Sequence, residues 1–437
     1  MKKVRFLDCA VIGFALFGMF FGAGNLIFPP FLGLESQGFW YLGFICFIIM
    51  DLGLAIMAIL SVSKNGEDVR CLTDHLGIKV SKAILMITIF CLGPLIAVPR
   101  TAATSFEFSV EPIFGNGASW IFTAVFFAAA VALSMRQSQI ITIIGAVLAP
   151  TMFICLVFLI FKGLSMPYMA EPVITDSAFV VREGINAGYQ TMDIMGGVIF
   201  ASSIITGTVS RGYSDKKQRF KAIFLASVIT ISALGVVYGG LCFLGSKMTD
   251  FYGSDISRTV LLSQMVTRIL GDGGNIFLGI LVLSACLTAA IGILSSCSAL
   301  MTNITNGKIG YKKILVLFAL VGFLLSNMGT EKIMSMAVPL LGVICPVLLT
   351  IIVLGFFSGK IKSDRVYKAA CLTSFVLSAL SSITTAFGKE TIIDKFPFAE
   401  YGFAWVVPTI VVVVIVSLKY KHLIPEDAFN KAATAEN

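Results

Sequence analysis

Long apolar runs recur along the chain, separated by short polar stretches, and most are of the roughly 18 to 25 residues that a helix rising 1.5 Å per residue needs to cross about 30 Å of hydrocarbon. Twelve spans can be drawn, at about 6–34, 39–61, 81–110, 119–135, 139–161, 184–208, 220–244, 275–299, 313–327, 331–357, 369–387 and 401–418. Runs of this length specify membrane helices; barrel strands are half as long. Two connecting loops, about 162–183 and 245–274, are long enough to carry structure. Within the second, Ser257 to Leu270 reads as an amphipathic helix, either a lid over a vestibule or an ordinary surface helix.

Composition agrees. Of 437 residues, 57% are hydrophobic and 13% charged, about half the charge of a soluble domain. The net charge of +8 has a topological use and does not indicate nucleic acid. With the N-terminus inside, cytoplasmic segments collect roughly 23 Lys and Arg, among them Lys64, Arg70, Arg211, Lys216, Lys217, Arg219, Lys308, Lys360 and Lys362, against roughly 8 outside. Both termini are then expected in the cytoplasm of a multi-pass cell-membrane protein. Trp40, Trp120 and Trp405 fall at the external ends of spans 2, 4 and 12, where an interfacial aromatic belt is expected. Lys2, Lys3 and Arg5 precede an apolar run too long for a signal peptide, so it reads as a retained first span.

The ten cysteines are scattered singly, several inside apolar spans such as Cys46, Cys155, Cys242, Cys286 and Cys345, and read as small hydrophobes. The only two histidines, His75 and His422, lie in a polar loop and the C-terminal tail, so no buried metal cluster, covalent cofactor or intramembrane enzyme is expected.

Two spans carry helix breakers. In span 1, FGMFFGAGNLIFPPFLG puts Gly22, Gly24 and Asn25 near mid-membrane, with Pro29 and Pro30 behind them removing the donors that the Asn25 and Leu26 carbonyls would use. This predicts two half-helices; a glycine packing contact or a proline kink is the plainer reading. In span 6, GYQTMDIMGGVIF sets Asp193 just before Gly196 and Gly197. Exposed backbone survives at membrane depth only in a protein interior or against a cavity. If five helices repeat in inverted topology, spans 1 and 6 correspond, and paired broken helices are the best sequence pointer to a transporter binding site. Half-helix N-termini suit a carboxylate, and exposed carbonyls suit an ammonium group or a small cation. Asp193 is expected in that site or as the cap of the second half of span 6.

Other polar residues lie inside spans. Arg100, Thr104, Glu107 and Glu111 form one stripe on span 3. The expectation for its charges is a structural ion pair, Arg100 with Glu107 or with Asp51 of span 2, or direct substrate contact. In span 8, LSACLTAAIGILSSCSA presents Ala285, Thr288, Ser295 and Ser296, which close packing alone explains unless Thr288 meets span 1.

On FGAGNLIFPPFLG, GPLIAVPRTAATSFEF, GYQTMD, ACLTAAIG and LLSNMG, in this order, the chain resembles the branched-chain amino acid:cation symporters, the bacterial leucine, isoleucine and valine carriers. The resemblance implies an all-α membrane fold of about twelve helices with a leucine-transporter-like core of five plus five inverted repeats, about 6–161 and 184–357, followed by accessory helices at about 369–418. It implies leucine, isoleucine or valine as substrate and Na⁺ or H⁺ as coupling ion. Gly22, Ala23, Gly24, Asn25, Thr101, Thr104, Asp193 and Gly196 become the substrate candidates. Gly18, Phe21, Ala285 and Thr288 become the Na⁺ candidates, with Ala289 lacking a hydroxyl often found there, and Asp51, Arg100 and Glu107 the structural or coupling charges.

Overall fold

The computed structural model describes residues 4–135, 144–166, 176–253, 255–358, 361, 363–386 and 392–420. The start of the span predicted at 139, residues 167–175 of the 162–183 loop, Lys360, Lys362 and His422 lie outside them. Among the described residues the elements are helical, without strands, and eight helical runs are long and apolar enough to cross a membrane.

The first predicted span is two helices, α1 (Phe6–Phe20) and α2 (Ala23–Ser36). Then come α3 (Trp40–Ile48), α4 (Leu54–Asn65), α5 (Ile78–Phe90), α6 (Ala97–Ser109), α7 (Ser119–Ser134) and α8 (Ala149–Leu164). The sixth span is again two helices, α9 (Ser177–Thr191) and α10 (Asp193–Ser210). The chain continues through α11 (Lys216–Ser246), α12 (Arg258–Leu270), α13 (Gly274–Ile304), α14 (Tyr311–Ser326), α15 (Thr330–Phe356), α16 (Asp364–Ala386) and α17 (Val406–Tyr420).

The broken helices occupy the middle. α1 and α2 pack along α11, α10 packs on α4, α9 on α3, and α6 on α13. Outward faces of the surrounding helices stay apolar, with Ile121, Val125, Phe158, Phe161, Leu320 and Leu418 exposed, as a lipid-facing surface requires. Trp405 is buried, packed near Phe403. The amphipathic helix is α12, with Ser257 as its N-cap and Leu261, Leu262, Met265 and Val266 buried.

Glycine sets the closest approach in this core. A Cβ at Gly33 would run into the Cys242 carbonyl oxygen, and one at Gly245 into that of Pro30, so α2 and α11 touch backbone to backbone. Gly33→Val is therefore expected to lower the melting temperature in detergent sharply, because no side-chain rotation relieves a clash with backbone.

Among the described residues π turns occur at Ile49–Gly53 between α3 and α4, at Cys91–Leu95 between α5 and α6, and at Ile144–Leu148 before α8. The first carries Asp51.

Candidate functional site

The break in the first span lies at Phe21 and Gly22. Phe21 leaves the helix at ψ 92°, and Gly22 is extended at φ −123°, ψ −161°. No backbone hydrogen bond runs from the amides of residues 22–25 to the carbonyls of residues 18–21. Four carbonyls and the amides of Ala23, Gly24 and Asn25 are thereby opened at one place. Any residue can adopt the Gly22 conformation; what selects glycine is the Ala289 methyl, 3.3 Å from where a Cβ would stand. Pro29 and Pro30, expected to form part of the break, sit inside the continuous α2. The helix passes through them because only their own two donors are missing and flanking turns hold.

In the sixth span the break is one residue, Met192, left-handed at φ 72°, ψ 12°. That conformation costs a non-glycine residue roughly 1–2 kcal/mol, and three side chains hold it. Arg100 donates from Nη1 to the Gln190 carbonyl at 2.7 Å and from Nη2 to the Thr191 carbonyl at 3.1 Å. The Thr191 hydroxyl donates to Asp51 Oδ1 at 2.6 Å. A cation thus sits on the negative end of the α9 dipole and satisfies carbonyls the break would orphan.

Arg100 accordingly forms neither expected ion pair. Glu107 is turned to the start of α15, where Oε1 accepts from the Thr330 amide at 2.9 Å, and Thr104 shares a 3.0 Å hydrogen bond with the Thr330 hydroxyl. Glu107 is a cap for α15 supplied by another helix. Glu107→Ala is expected to cost about 1 kcal/mol of stability and Glu107→Gln, which keeps the acceptor, much less; detergent melting curves check both.

Asp193 does not cap α10. Its Oδ2 accepts from Asn25 Nδ2 at 2.9 Å, and the same Asn25 nitrogen donates to the Tyr238 hydroxyl oxygen at 2.6 Å. The two breaks are therefore tied together through α2, α10 and α11. Gly24 completes the junction: a Cβ there would lie 3.0 Å from Arg100 Nη2 and 3.1 Å from the Phe28 ring.

Of the candidates, Gly22, Ala23, Gly24, Asn25, Asp51, Arg100 and Asp193 converge. Thr101 is adjacent, its hydroxyl bonded back to the Val98 carbonyl and its methyl carbon 3.9 Å from the Gly22 Cβ position. Gly196 packs on Phe20 and Phe200, while Thr104 and Glu107 lie apart at Thr330. In the Na⁺ group Thr288 meets Gly18, but through its methyl, 3.0 Å from the Gly18 Cβ position; its hydroxyl donates to the Ser284 carbonyl at 2.7 Å. Phe21 stacks on Tyr238, and Ala285 is buried within the continuous α13. Sequence reasoning missed Tyr238, Thr191 and Thr330. A tyrosine inside GVVYGG of an apolar helix was a readable signal for the first; the other two look like ordinary threonines.

Two neighbouring cavities share Thr330 and Glu331 in their linings. One of about 830 Å³ is lined by Glu107, Glu111, Trp120, Thr330 and Glu331 among others, and one of about 450 Å³ by Ile27, Phe31, Gln190, Arg258 and Thr330. Arg258 of α12 stands over the Phe28 and Phe31 rings at 5.1 and 5.0 Å. Burial lowers its guanidinium pKa below the ordinary value, against the opposing pull of Glu35, Glu183 and Glu331.

The family model described as branched-chain amino acid transport protein matches residues 6–423. A relative from Staphylococcus epidermidis, provisionally named a branched-chain amino acid carrier protein, is 32% identical over 435 residues, covering 95% of this chain and 97% of the relative. Among solved structures, Mhp1, a nucleobase-cation-symport-1 family transporter in a closed conformation with bromovinylhydantoin bound, superposes with TM-score 0.60 at 13% identity, covering 95% of each chain. MhsT in complex with L-phenylalanine superposes with TM-score 0.54 at 14% identity, covering 93% of this chain and 97% of that one. These likenesses establish a shared transporter fold.

Proposed function

The chain belongs to the branched-chain amino acid transport protein family, a transporter family and not an enzyme family, and from that premise we propose that it imports leucine, isoleucine and valine by alternating access in symport with a cation, Na⁺ or H⁺. It does so across the cell membrane, crossing twelve times with both termini cytoplasmic, and its first ten crossings form two inverted repeats of five. The observation that carries the reading is the convergence of two helix breaks on Asn25 and Asp193. The opened amides of Ala23, Gly24 and Asn25 offer donors and partial positive charge to the substrate carboxylate. The carbonyls opened at Phe20 and Phe21, with Asp193, offer acceptors to its ammonium group. Gly22 and Gly24 leave backbone uncovered, and the apolar surroundings, including Phe20, Phe28, Phe200 and Ala289, suit a branched aliphatic side chain.

Na⁺ coupling would use the Gly18 and Phe21 carbonyls with Ala285 and Thr288, and would require the Thr288 side chain to rotate its hydroxyl toward Gly18. H⁺ coupling makes no such demand.

Binding of labelled leucine to the purified protein tests the substrate. Unlabelled isoleucine is expected to compete at similar concentrations, valine at severalfold higher ones and alanine, lysine and glutamate only weakly, since losing each methylene from an apolar pocket costs of the order of 1 kcal/mol. Competition by alanine equal to that by isoleucine would refute the branched-chain assignment.

A further inference from the structure

Asp51 is wholly buried in the π turn Ile49–Gly53. Its Oδ1 accepts from Thr191, whereas its Oδ2 has no hydrogen-bond partner. Asp193, 7% exposed, lies against it, close enough for the two carboxyl groups to share a hydrogen. Facing the pair are Asn25 from α2, Thr191 from α9, Tyr238 from α11 and Arg100 from α6. Arg100 gives both terminal nitrogens to backbone carbonyls, and Cys286 of α13 faces Arg100, not the carboxyl pair. The guanidinium is thus close enough to be felt by the pair without forming an ion pair with either member.

Two ionised carboxylates in contact repel strongly where the dielectric is low, and one added monovalent cation removes that repulsion while satisfying the orphaned oxygen. We propose that Asp51 and Asp193 together bind one proton per transport cycle, held between Asp51 Oδ2 and the Asp193 carboxyl, and that this proton is the coupling ion. The inference rests on the symport reading above and chooses between its two ions. A proton needs only two facing oxygens, one of them the orphaned Asp51 Oδ2. The Asn25 amide also turns its hydrogens inward, toward Asp193 and Tyr238, and the Thr191 hydroxyl stands 2.6 Å from Asp51 Oδ1 and 2.7 Å from the Gly188 carbonyl.

The cycle balances simply. A proton from water on the outer side forms an O–H bond on the pair, crosses with the substrate as the helices rearrange, and returns to water inside, with no electron transfer. Protonation ties the start of α10 to the π turn behind α3; deprotonation restores the repulsion and loosens that tie. Asn25 contacts Asp193 and belongs to the proposed substrate site, so whatever factor the proton changes the affinity for the amino acid by, the amino acid changes that for the proton by the same one.

The test uses proteoliposomes containing the whole chain, labelled leucine, no Na⁺, and an outer pH one unit below the inner. At one proton per substrate such a gradient supports about tenfold accumulation, because each tenfold ratio is about 1.4 kcal/mol. The wild type is expected to accumulate leucine and to draw protons from the outer medium, seen with a pH dye. Asp51→Asn and Asp193→Asn are expected to lose both, while any leucine counterflow they retain no longer varies with pH. Detectable counterflow shows that a variant is folded and binds. Accumulation by the wild type on a Na⁺ gradient alone would overturn the proposal, as would pH-driven accumulation by an Asp51→Asn protein. A wild type that shows neither accumulation nor counterflow of leucine under any gradient would overturn the symport reading beneath it.

Discussion

Arg100→Ala is expected to lower stability by roughly 3 kcal/mol or more, at about 1.5–3 kcal/mol for each hydrogen bond made by a charged group. The variant loses two charge-assisted hydrogen bonds to the Gln190 and Thr191 carbonyls. Both carbonyls lose their partner, and the left-handed Met192 loses the clamp that offsets its strain. Arg100→Lys keeps the charge but not the fork that spans two carbonyls, and should fall between alanine and wild type. Melting in detergent measures this. The double variant with Glu107→Ala separates the account from an Arg100–Glu107 ion pair: because Glu107 serves Thr330, the two losses should add within about 0.5 kcal/mol. A coupling well beyond that would restore the pair.

Gly24→Val is expected to abolish leucine uptake while the protein still reaches the membrane. A Cβ at Gly24 already stands 3.0 Å from Arg100 Nη2 and 3.1 Å from Phe28, and valine's two further methyls must displace one or cover the amides at the start of α2. Glycine to valine in a helix is not itself costly, so melting should fall less than for Arg100→Ala. Gly24→Ala should be intermediate in uptake. Normal uptake by Gly24→Val would remove substrate binding from this junction.

What the sequence could show was the part that repeats or breaks a rule. Apolar runs located the helices, and Ser257 followed by an amphipathic stretch located α12 with its cap. FFGAGN announced a break at the right place, and Gly22 stands in it. Pro29 and Pro30 misled, because a missing donor weakens a helix without deciding whether neighbouring turns hold it. In the sixth span the break expected at Asp193 lies one residue before it, and Gly196 and Gly197 form no part of it. Those glycines serve packing: a Cβ at Gly197 would run into the Ala55 backbone of α4, whereas the chain turns at Met192, a residue without any propensity for it. That turn is imposed by Arg100, 92 positions earlier, and by Asp51 through Thr191. Partners of intramembrane charges were invisible for the same reason: stripe spacing on α6 shows which residues share a face, not that Arg100 would meet backbone and Glu107 the amide of Thr330. π turns left a trace only at Pro94.

Accumulation of labelled leucine by proteoliposomes, with Na⁺ and pH gradients imposed separately and other amino acids as competitors, bears on the central claim most directly. The account predicts accumulation above equilibrium on a cation gradient, suppressed by isoleucine and valine and absent in Gly24→Val. Leucine that merely equilibrates under every imposed gradient, or accumulation indifferent to isoleucine and valine, would contradict it.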